Sequence, residues 1–267
     1  MLKAIDVTKK FRISGTKEKR VFEAVSNVSI EIAEECVCVL VGESGSGKST
    51  LARMLSYIEN PTSGTVYLDE TLVSSRRRDA LRPLRGVVQL VMQDAESSLD
   101  PRQTVSAILD EPLKLLCAMP ADVRESRKRE LLDMVNLSGD FMRKRPGEMS
   151  GGQQKRICIA RALAARPKYI LFDESFSGLD VTLRKQILDL LRELKQKLKI
   201  SYLIITHDLD TAMYMADVIH VMKDGQIIET VESPKAFPDF KSPYANELVK
   251  ALLSKRQALH TIQIKGE

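Results

Sequence analysis

Hydrophobic positions near the N-terminus follow the two-residue period of β-strands. Residues Ala4–Val7 and Val28–Ile32 alternate between apolar and polar side chains, which predicts strands with one buried face. Residues Val37–Val41 are apolar without interruption, which is typical of a strand that is buried on both faces. The polar segment Ile13–Arg20, which contains glycine and lysine, predicts a loop between the first two strands.

The apolar positions in the middle of the chain recur with the period of α-helices. Residues Val105–Leu116, Val123–Val135 and Gly152–Ala165 carry this periodicity, with few β-branched runs between them. A helix is also predicted over Lys48–Tyr57, and Thr65–Leu68, after a Pro-Thr-Ser-Gly turn, is predicted to be a strand. The pattern therefore indicates a helical insert in a protein that is built around a sheet.

Strand patterns return after the helical segment. Tyr169–Phe172 and Tyr202–Ile205 are apolar strands, and the amphipathic helix Leu183–Leu198 separates them. Val218–Met222 and Ile227–Glu229, joined by a Lys-Asp-Gly-Gln turn, predict a hairpin. Apolar strands that alternate with helices predict an α/β fold with a mainly parallel sheet covered by helices.

Composition narrows the class of protein. With 267 residues, of which 43% are hydrophobic and 29% charged, the chain has the balance of one large globular domain, or of a domain with a subdomain. No apolar run reaches the length of a transmembrane span, and the first residues lack the apolar core of a secretory signal, which predicts a cytoplasmic protein. The net charge of +5 is too small to choose among nucleic acid, phosphate-bearing ligands and a membrane surface as partners, and the lack of tryptophan, with aromatics at 5%, does not favour a base-stacking surface.

A glycine-rich segment after the strand Val37–Val41 has the spacing of a phosphate-binding loop. The pattern G-x-x-x-x-G-K-[ST] is formed by Gly42, Glu43, Ser44, Gly45, Ser46, Gly47, Lys48 and Ser49, with Thr50 directly after it. The glycines let successive backbone N–H groups converge on a phosphate, and the helix N-terminus adds partial positive charge. Lys48 is expected to reach the β- and γ-phosphates, and the Ser49 hydroxyl to bind Mg²⁺. An ordinary Gly/Ser loop is the alternative, which the strand–loop–helix context disfavours.

Two acidic residues end the apolar strand Tyr169–Phe172. Asp173 and Glu174 are expected beside the phosphate-binding loop, because the carboxyl ends of parallel strands converge on the ligand crevice. There Asp173 can hold a magnesium-bound water, and Glu174 can orient and deprotonate the water that attacks the γ-phosphate. A pair of acids alone is usually a solvated surface feature. Its combination with the loop favours the catalytic interpretation.

A Ser-Gly-Gly-Gln segment opens the helix that precedes this acidic strand, and its residues are Ser150, Gly151, Gly152 and Gln153. Phosphate-binding loop, this segment, acidic strand and His207, in this order, resemble the ATP-binding subunits of ABC transporters. The resemblance implies a P-loop NTPase with a RecA-like, mainly parallel core, an antiparallel β-subdomain and a helical insert. It also implies that the Ser150 hydroxyl, the Gly152 N–H and the helix start face the γ-phosphate bound by another subunit. A simple helix cap is the alternative.

The same resemblance implies roles for further residues. Gln93 matches the glutamine that contacts magnesium and the attacking water and that senses the membrane partner. Asp180 matches a loop that lies across the dimer interface, and His207 matches the histidine that hydrogen-bonds the γ-phosphate. Phe11 lies at the place of the aromatic residue that stacks on adenine, with Phe22 as a rival.

Two more segments resemble the oligopeptide, dipeptide and nickel importers within this family, namely Ser97–Arg102 and the tail Lys241–Leu248. The resemblance implies ATP and Mg²⁺ as cofactors. It implies two transmembrane permease subunits and a second ATP-binding subunit, identical or different, as partners, and an extracytoplasmic solute-binding protein that acts indirectly. The chain is then expected as a peripheral protein at the cytoplasmic face of the cell membrane, with peptides and nickel or other metal chelates as equally supported solutes.

The implied organisation is a single ATPase domain over residues 1–267. Its core, with the β-subdomain, comprises 1–95 and 165–235, its helical signature subdomain comprises 96–164, and a helical tail comprises 236–267. These boundaries follow the change from strand-rich to helix-rich patterns.

Two other classes of protein share parts of this pattern. The first is a soluble ABC-type ATPase that acts on nucleic acid or ribosomes. Chromosome and repair ATPases place a long coiled coil between loop and signature, whereas Lys48 and Ser150 enclose no sustained heptads, and ribosome-acting relatives carry two cassettes per chain. The second is a regulatory subunit that binds ATP without hydrolysis, against which Glu174 and His207 argue. A transporter ATPase, without nucleic acid as partner, is therefore favoured.

Overall fold

The computed structural model describes residues 1–13, 20–73, 81–94, 98–236 and 239–251. Within these ranges the strands form two sheets, one with four strands and one with six. None of the helices in these ranges is long and apolar enough to cross a membrane.

The smaller sheet is antiparallel. Its strands are β1 (Leu2–Ile13), β2 (Arg20–Ile32), β4 (Ser63–Leu68) and β5 (Thr71–Leu72), in the order β2-β1-β4-β5. The first two strands are much longer than their alternating segments predict. Their register slips near Asp6 and Asn27, both at a φ of 50°, so bulges interrupt the two-residue period along the ribbon.

The prediction of a loop over Ile13–Arg20 is wrong at the two ends of that segment. Ile13 and Arg20 are paired strand residues, and Phe11 is paired with Phe22 just inside them. Backbone hydrogen bonds extend the ribbon beyond its apolar part, because a ladder needs no particular side chain. Residues 14–19 lie outside the described residues.

The larger sheet is mainly parallel, as predicted. Its strands are β3 (Val37–Val41), β6 (Val88–Val91), β7 (Tyr169–Asp173), β8 (Ser201–Thr206), β9 (Val218–Lys223) and β10 (Gln226–Glu232). The order is β10-β9-β3-β8-β7-β6, and only the predicted hairpin of β9 and β10 is antiparallel. Every residue of β3, β7 and β8 is buried, which explains their uninterrupted apolar patterns.

The helices lie close to their predicted positions. They are α1 (Lys48–Leu55), α2 (Arg82–Val87), α3 (Val105–Leu115), α4 (Ala121–Met134), α5 (Gly151–Ala164), α6 (Val181–Leu198) and α7 (Leu209–Met215), followed by α8 over residues 243–251. Helix α1 ends two residues before the predicted Tyr57, because Tyr57 has a φ of 61°, outside the helical region. The short α2 and α7 have no counterpart among the predicted helices.

The larger sheet separates two hydrophobic clusters. Val39 and Val41 of β3 belong to the cluster that includes helices α3–α8. Cys38 and Leu40 belong to the cluster that contains α1 and the smaller sheet. Alternate residues of one strand therefore hold the two layers together. Helices α3, α4 and α5 pack on one another within the segment 96–164.

Candidate active site

Four neighbouring strands end at the same edge of the larger sheet. Val41 lies beside Thr206, Asp173 beside Ile205, and Val91 beside Phe172. The residues that follow these strands are the phosphate-binding loop, Glu174, His207 and Gln93. The parallel order thus brings segments that are far apart in sequence to one crevice, as the sequence predicts for Asp173 and Glu174.

Two positions of the phosphate-binding loop accept only glycine. Gly47 has a φ of 102°, and a Cβ atom there would lie 2.2 Å from the Ala24 carbonyl oxygen. A Cβ at Gly42 would lie 2.1 Å from the Met222 carbonyl oxygen. Both distances are far below a van der Waals contact. The loop is therefore pressed against β2 on one side and against β9 on the other.

Backbone hydrogen bonds fix the loop to its surroundings. Gly225 N, in the turn of the β9–β10 hairpin, donates to the Ser46 carbonyl oxygen at 3.0 Å, and Ser46 N donates to the Glu43 carbonyl oxygen at 3.2 Å. Glu43 N donates to the hydroxyl of Tyr244 at 3.1 Å. Tyr244 is a contact that the sequence analysis missed, although it lies in the tail that resembles importer sequences. Ser44 and Gly45 at the loop tip are exposed, and Thr50 in α1 is half-buried.

Lys48 lies at the centre of the loop and is almost completely buried. Its Nζ donates to the carbonyl oxygens of Gly42 at 2.9 Å and Glu43 at 2.6 Å, and to Ser46 Oγ at 3.2 Å. Burial lowers the pKa of Lys48, while the charges of Glu174 and Asp173 oppose that shift. Within the described part of the chain no carboxylate pairs directly with Lys48, and a buried cation of this kind is well prepared to bind an anion such as phosphate.

Ser49 and Asp173 form a pair of oxygen donors beside this lysine. Ser49 Oγ donates to Asp173 Oδ1 at 2.8 Å. Burial raises the pKa of Asp173, and the hydrogen bond from Ser49 opposes this shift. A hydroxyl and a carboxylate at this spacing suit Mg²⁺, which prefers oxygen ligands and keeps several waters. A divalent cation there would also favour the charged form of the buried carboxylate.

Glu174 lies next to Asp173 at the mouth of the crevice. Its backbone has a φ of 46°, and its N–H donates to the Ile205 carbonyl oxygen at 3.0 Å, which turns the chain out of β7. Its Oε2 lies 3.8 Å from Nδ1 of His207, whose side chain is 60% exposed. A carboxylate that is mostly buried next to an exposed imidazole leaves an open side at which water can approach.

Gln93 follows β6 and is exposed at this edge. Its Nε2 donates to Ser177 Oγ at 3.4 Å, which joins it to the turn after β7. Its carbonyl oxygen accepts from Nζ of Lys155 at 3.0 Å. Lys155 is 3% exposed, and its burial lowers its pKa. The sequence analysis missed this lysine, because nothing in a linear pattern distinguishes it from a surface charge.

The Ser-Gly-Gly-Gln segment, residues 150–153, lies apart from the phosphate-binding loop, at the start of α5. Ser150 Oγ accepts from Gln153 N at 3.4 Å, and Gln153 Oε1 accepts from Ser150 N at 3.0 Å, which is a capping box. Ser150 and Gly151 are exposed, whereas Gly152 is buried against Leu183. Among the described residues, no hydrogen bond joins this segment to the phosphate-binding loop.

Asp180 and Phe11 have local contacts in this structure. Asp180 caps helix α6, since its Oδ1 accepts from Leu183 N at 2.8 Å, and the residue is exposed. Phe11 is half-buried on β1 opposite Phe22, with Nζ of Lys9 at 5.2 Å from its ring centroid. The two candidate aromatic residues are thus neighbours on the same ribbon, and the choice between them for adenine stays a prediction.

A parallel sheet with a phosphate-binding loop, a buried lysine and an acidic strand end defines a nucleotide-binding protein of the P-loop class. A family model described as ABC transporter matches residues 25–177, more than half of the chain. The chain belongs to the ABC transporter family.

Curated relatives extend this match to nearly the whole chain. The metal-staphylopine import system ATP-binding protein CntF of Staphylococcus aureus (strain Mu50) is 39% identical over 254 residues, which cover 95% of this chain and all of that protein. The nickel import ATP-binding protein NikE of Brucella abortus is 42% identical over 207 residues, 78% of each chain. A putative peptide import ATP-binding protein of Brucella abortus is 37% identical over 265 residues, 98% of this chain and 79% of that one.

Solved structures agree with the fold. A dimeric post-hydrolysis state of the ATP-binding cassette MJ0796, bound to ADP and Pi, is 31% identical, with a TM-score of 0.77 over 88% of this chain and all of that one. The cbiO1 protein of Clostridium perfringens, part of the transporter complex cbiONQ, is 25% identical, with a TM-score of 0.75 over 98% of this chain and 94% of that one. The P-loop fold with an additional antiparallel sheet is therefore confirmed, and ATP is the nucleotide that these similarities support.

Proposed function

We propose that this chain is the ATP-hydrolysing subunit of an ABC importer that takes up peptides, nickel or other metal chelates. The family match, and relatives named for the import of peptides, nickel and metal-staphylopine, support this proposal. The solute passes through other subunits and does not contact this chain. Peptides and metal chelates are therefore both kept as candidate solutes. The ligand of the partner solute-binding protein distinguishes them.

The observation that carries the proposal is the unequal exposure of the two phosphate-directed segments. Lys48 is buried inside its own loop, whereas Ser150 and Gly151 lie at the surface at the start of α5. The capping bond of Ser150 uses an oxygen lone pair and does not consume the hydroxyl proton. An exposed helix start with a hydroxyl donor suits an anion that a second cassette presents.

The site residues receive the following roles in this proposal. The N–H groups of the loop beyond Glu43, together with Lys48, bind the phosphates of ATP. Ser49, Asp173 and Gln93 would hold Mg²⁺, which supplies charge neutralisation between the phosphates when it is bound. Glu174 orients the attacking water and accepts its proton, and His207 donates a hydrogen bond to the γ-phosphate. Asp180 lies at the interface of the two cassettes, and an aromatic residue of the β1–β2 ribbon, Phe11 in this proposal, stacks on adenine.

Two such cassettes, identical or different, would then assemble beneath two permease subunits at the cytoplasmic face of the membrane. ATP binds the closed pair more tightly than the open pair, because only the closed pair contacts the γ-phosphate from both sides. Loss of that phosphate reopens the pair. The helical segment with α3–α5 and the region of Gln93 transmit this movement to the permeases, and an extracytoplasmic binding protein delivers the solute.

Replacing the proposed base tests the catalytic assignment. Glu174→Gln is expected to retain ATP binding and to lower phosphate release by at least about 10²-fold, because the amide cannot accept the proton of water. The variant should also accumulate as an ATP-bound dimer in size-exclusion chromatography. Glu193→Gln, an exposed carboxylate on α6, is the matched control and should behave as the wild type. Phosphate release near the wild-type rate from Glu174→Gln would reject the assignment.

A further inference from the structure

The C-terminal helix contacts the phosphate-binding loop through the hydroxyl of Tyr244. Tyr244, near the start of α8, accepts a hydrogen bond from Glu43 N at 3.1 Å. Glu43 is the second residue of the loop, directly after Gly42. The N–H of Glu43 therefore points to the tail, so the N–H groups that remain for a ligand are those farther along the loop.

Several contacts hold Tyr244 in place. Both carboxylate oxygens of Glu229 on β10 accept backbone N–H groups at the start of the tail, from Lys241 at 2.6 Å and from Ser242 at 2.9 Å. Ser242 Oγ then caps α8 by accepting from Ala245 N at 3.2 Å. The helix is thus anchored to the hairpin β9–β10, which also supports the loop at Ser46 through Gly225.

The environment of Tyr244 keeps its hydroxyl neutral and its ring fixed. The residue is 7% exposed, and Nζ of Lys223 lies 4.6 Å from its ring centroid. Burial raises the pKa of Tyr244, while the hydrogen bond from Glu43 opposes this shift. Lys223 follows Met222, whose carbonyl oxygen closely approaches Gly42. Strand β9 and helix α8 therefore meet at the back of the same loop residues.

We propose that Tyr244 is a positioning residue that holds the phosphate-binding loop in its nucleotide-competent conformation, so that the C-terminal helix sets the affinity for ATP. This inference rests on the proposed function. A loop with three glycines has wide conformational freedom, and a fixed bond at Glu43 removes alternatives at its beginning. Without the bond, only a fraction of the molecules has the competent loop, and the apparent affinity falls by that fraction.

The same helix also reaches the catalytic edge of the crevice. Leu248 and Ala251 line a cavity of about 450 Å³ together with Glu43, Ser177 and His207. The tail is therefore continuous with both ends of the site, the beginning of the phosphate-binding loop and the exposed histidine.

Removing only the hydroxyl tests this inference. Tyr244→Phe is expected to raise the dissociation constants of ATP and ADP, and KM for ATP, by about fivefold, the equivalent of one ordinary hydrogen bond, without a change in kcat. The full-length chain with a fluorescent ATP analogue gives the dissociation constant, and phosphate release gives KM and kcat. Tyr214→Phe, which loses the hydroxyl bond to Asp189 on the surface, is the matched control and should leave all constants unchanged.

A second variant avoids the loop altogether. Glu229→Gln weakens the anchor of α8 and should raise the same dissociation constants in the same direction, with thermal unfolding as a check that the fold is retained. Unchanged nucleotide affinity in Tyr244→Phe, or a lower kcat at unchanged KM, would overturn the inference while leaving the proposed function intact. A wild-type chain that binds no ATP would overturn both.

Discussion

The phosphate-binding loop and the start of helix α5 are both suited to bind an anion, but they differ in how far the rest of the chain encloses them. The loop is enclosed by β2, the β9–β10 hairpin and the C-terminal helix, and its lysine is buried. At the start of α5, Ser150 and Gly151 are exposed, and the side chain of Leu183 packs against Gly152. The loop is supported from behind by other elements, whereas the first residues of α5 are held by their capping box and by Leu183 against Gly152.

This difference separates what one chain can do alone from what it needs a second chain to do. The loop is complete within the monomer, so nucleotide affinity should depend on its internal supports. The start of α5 presents its donors outward, so its contribution should appear only when two cassettes meet. The two segments therefore predict different phenotypes for similar substitutions.

The largest expected effect on ATP affinity comes from adding one methyl group to the phosphate-binding loop. Gly47→Ala should lower the affinity for ATP by about 10²-fold, because alanine is strained at a φ of 102° and its Cβ overlaps the Ala24 carbonyl oxygen. Isothermal titration calorimetry of the full-length chain measures this change. Unaltered affinity in Gly47→Ala would contradict the tight support of the loop.

Gly151→Ala is the matched variant in the exposed segment. Among the described residues, and apart from its chain neighbours and the backbone of its own helix, no heavy atom lies within 4 Å of the added Cβ, so folding and nucleotide affinity of the monomer should be unchanged. ATP-dependent dimerisation should weaken, because the methyl group would face the second cassette. A monomer that loses ATP affinity in this variant would show that the two segments are not independent.

A smaller effect, on stability at acidic pH, is expected from a buried histidine in the larger sheet. His220 on β9 is 8% exposed, its Nδ1 lies 2.9 Å from Thr230 Oγ1, and among the described residues nothing hydrogen-bonds Nε2. Burial lowers the pKa of His220 from the usual histidine value of about 6.5 to about 4. The unfolded chain therefore binds a proton more readily than the folded one, so stability is lost as the pH falls from 6.5 towards 4.

The wild type should lose about 2 kcal/mol of unfolding free energy between pH 7 and pH 5 through this residue. His220→Leu should lack that loss, and urea titrations at the two pH values measure the difference. The segment 96–164 contains no histidine, which places this acid sensitivity on the side of the sheet and the loop. An equal pH dependence in the variant would contradict the assignment.

The smallest effect is expected for the capping hydroxyl of the exposed segment. Ser150→Ala should lower the free energy of unfolding by about 1 kcal/mol, because the N-cap of α5 is lost. Nucleotide affinity of the monomer should remain that of the wild type, while ATP hydrolysis by the assembled pair should fall. Ser138→Ala is a control for the loss of an exposed hydroxyl, because Ser138 Oγ donates to the Asp140 carboxylate at 3.4 Å but caps no backbone N–H of the short 3₁₀ turn that follows.

The sequence predicts the parallel strands far better than the antiparallel ribbon. Strands β3, β7 and β8 are buried on both faces, so each is an uninterrupted apolar run between turn signals. The ribbon of β1 and β2 contains bulges near Asp6 and Asn27, which shift the alternation, so only its most regular parts were predicted. The apolar pattern of a segment indicates which residues are buried. It does not predict a strand correctly where a bulge changes the register of the backbone.

The same division applies to the site. The loop, Asp173 and Glu174 are close to one another because strand ends converge, which a sequence pattern predicts before any coordinates. Tyr244 and Lys155 contact that site from the tail and from α5 through tertiary packing, and no spacing rule connects them to it. Supports of this kind depend on which surfaces meet, and the linear sequence does not contain that information in readable form.

The buried Lys155 has a mechanical consequence. It lies on the same helix as Ser150, little more than one turn away, and its Nζ holds the backbone of Gln93. Because this hydrogen bond joins the first turns of α5 to the segment that follows β6, a displacement of the start of α5 is expected to move that segment as well. A partner that binds the exposed start of α5 is therefore expected to shift Gln93 at the rim of the crevice.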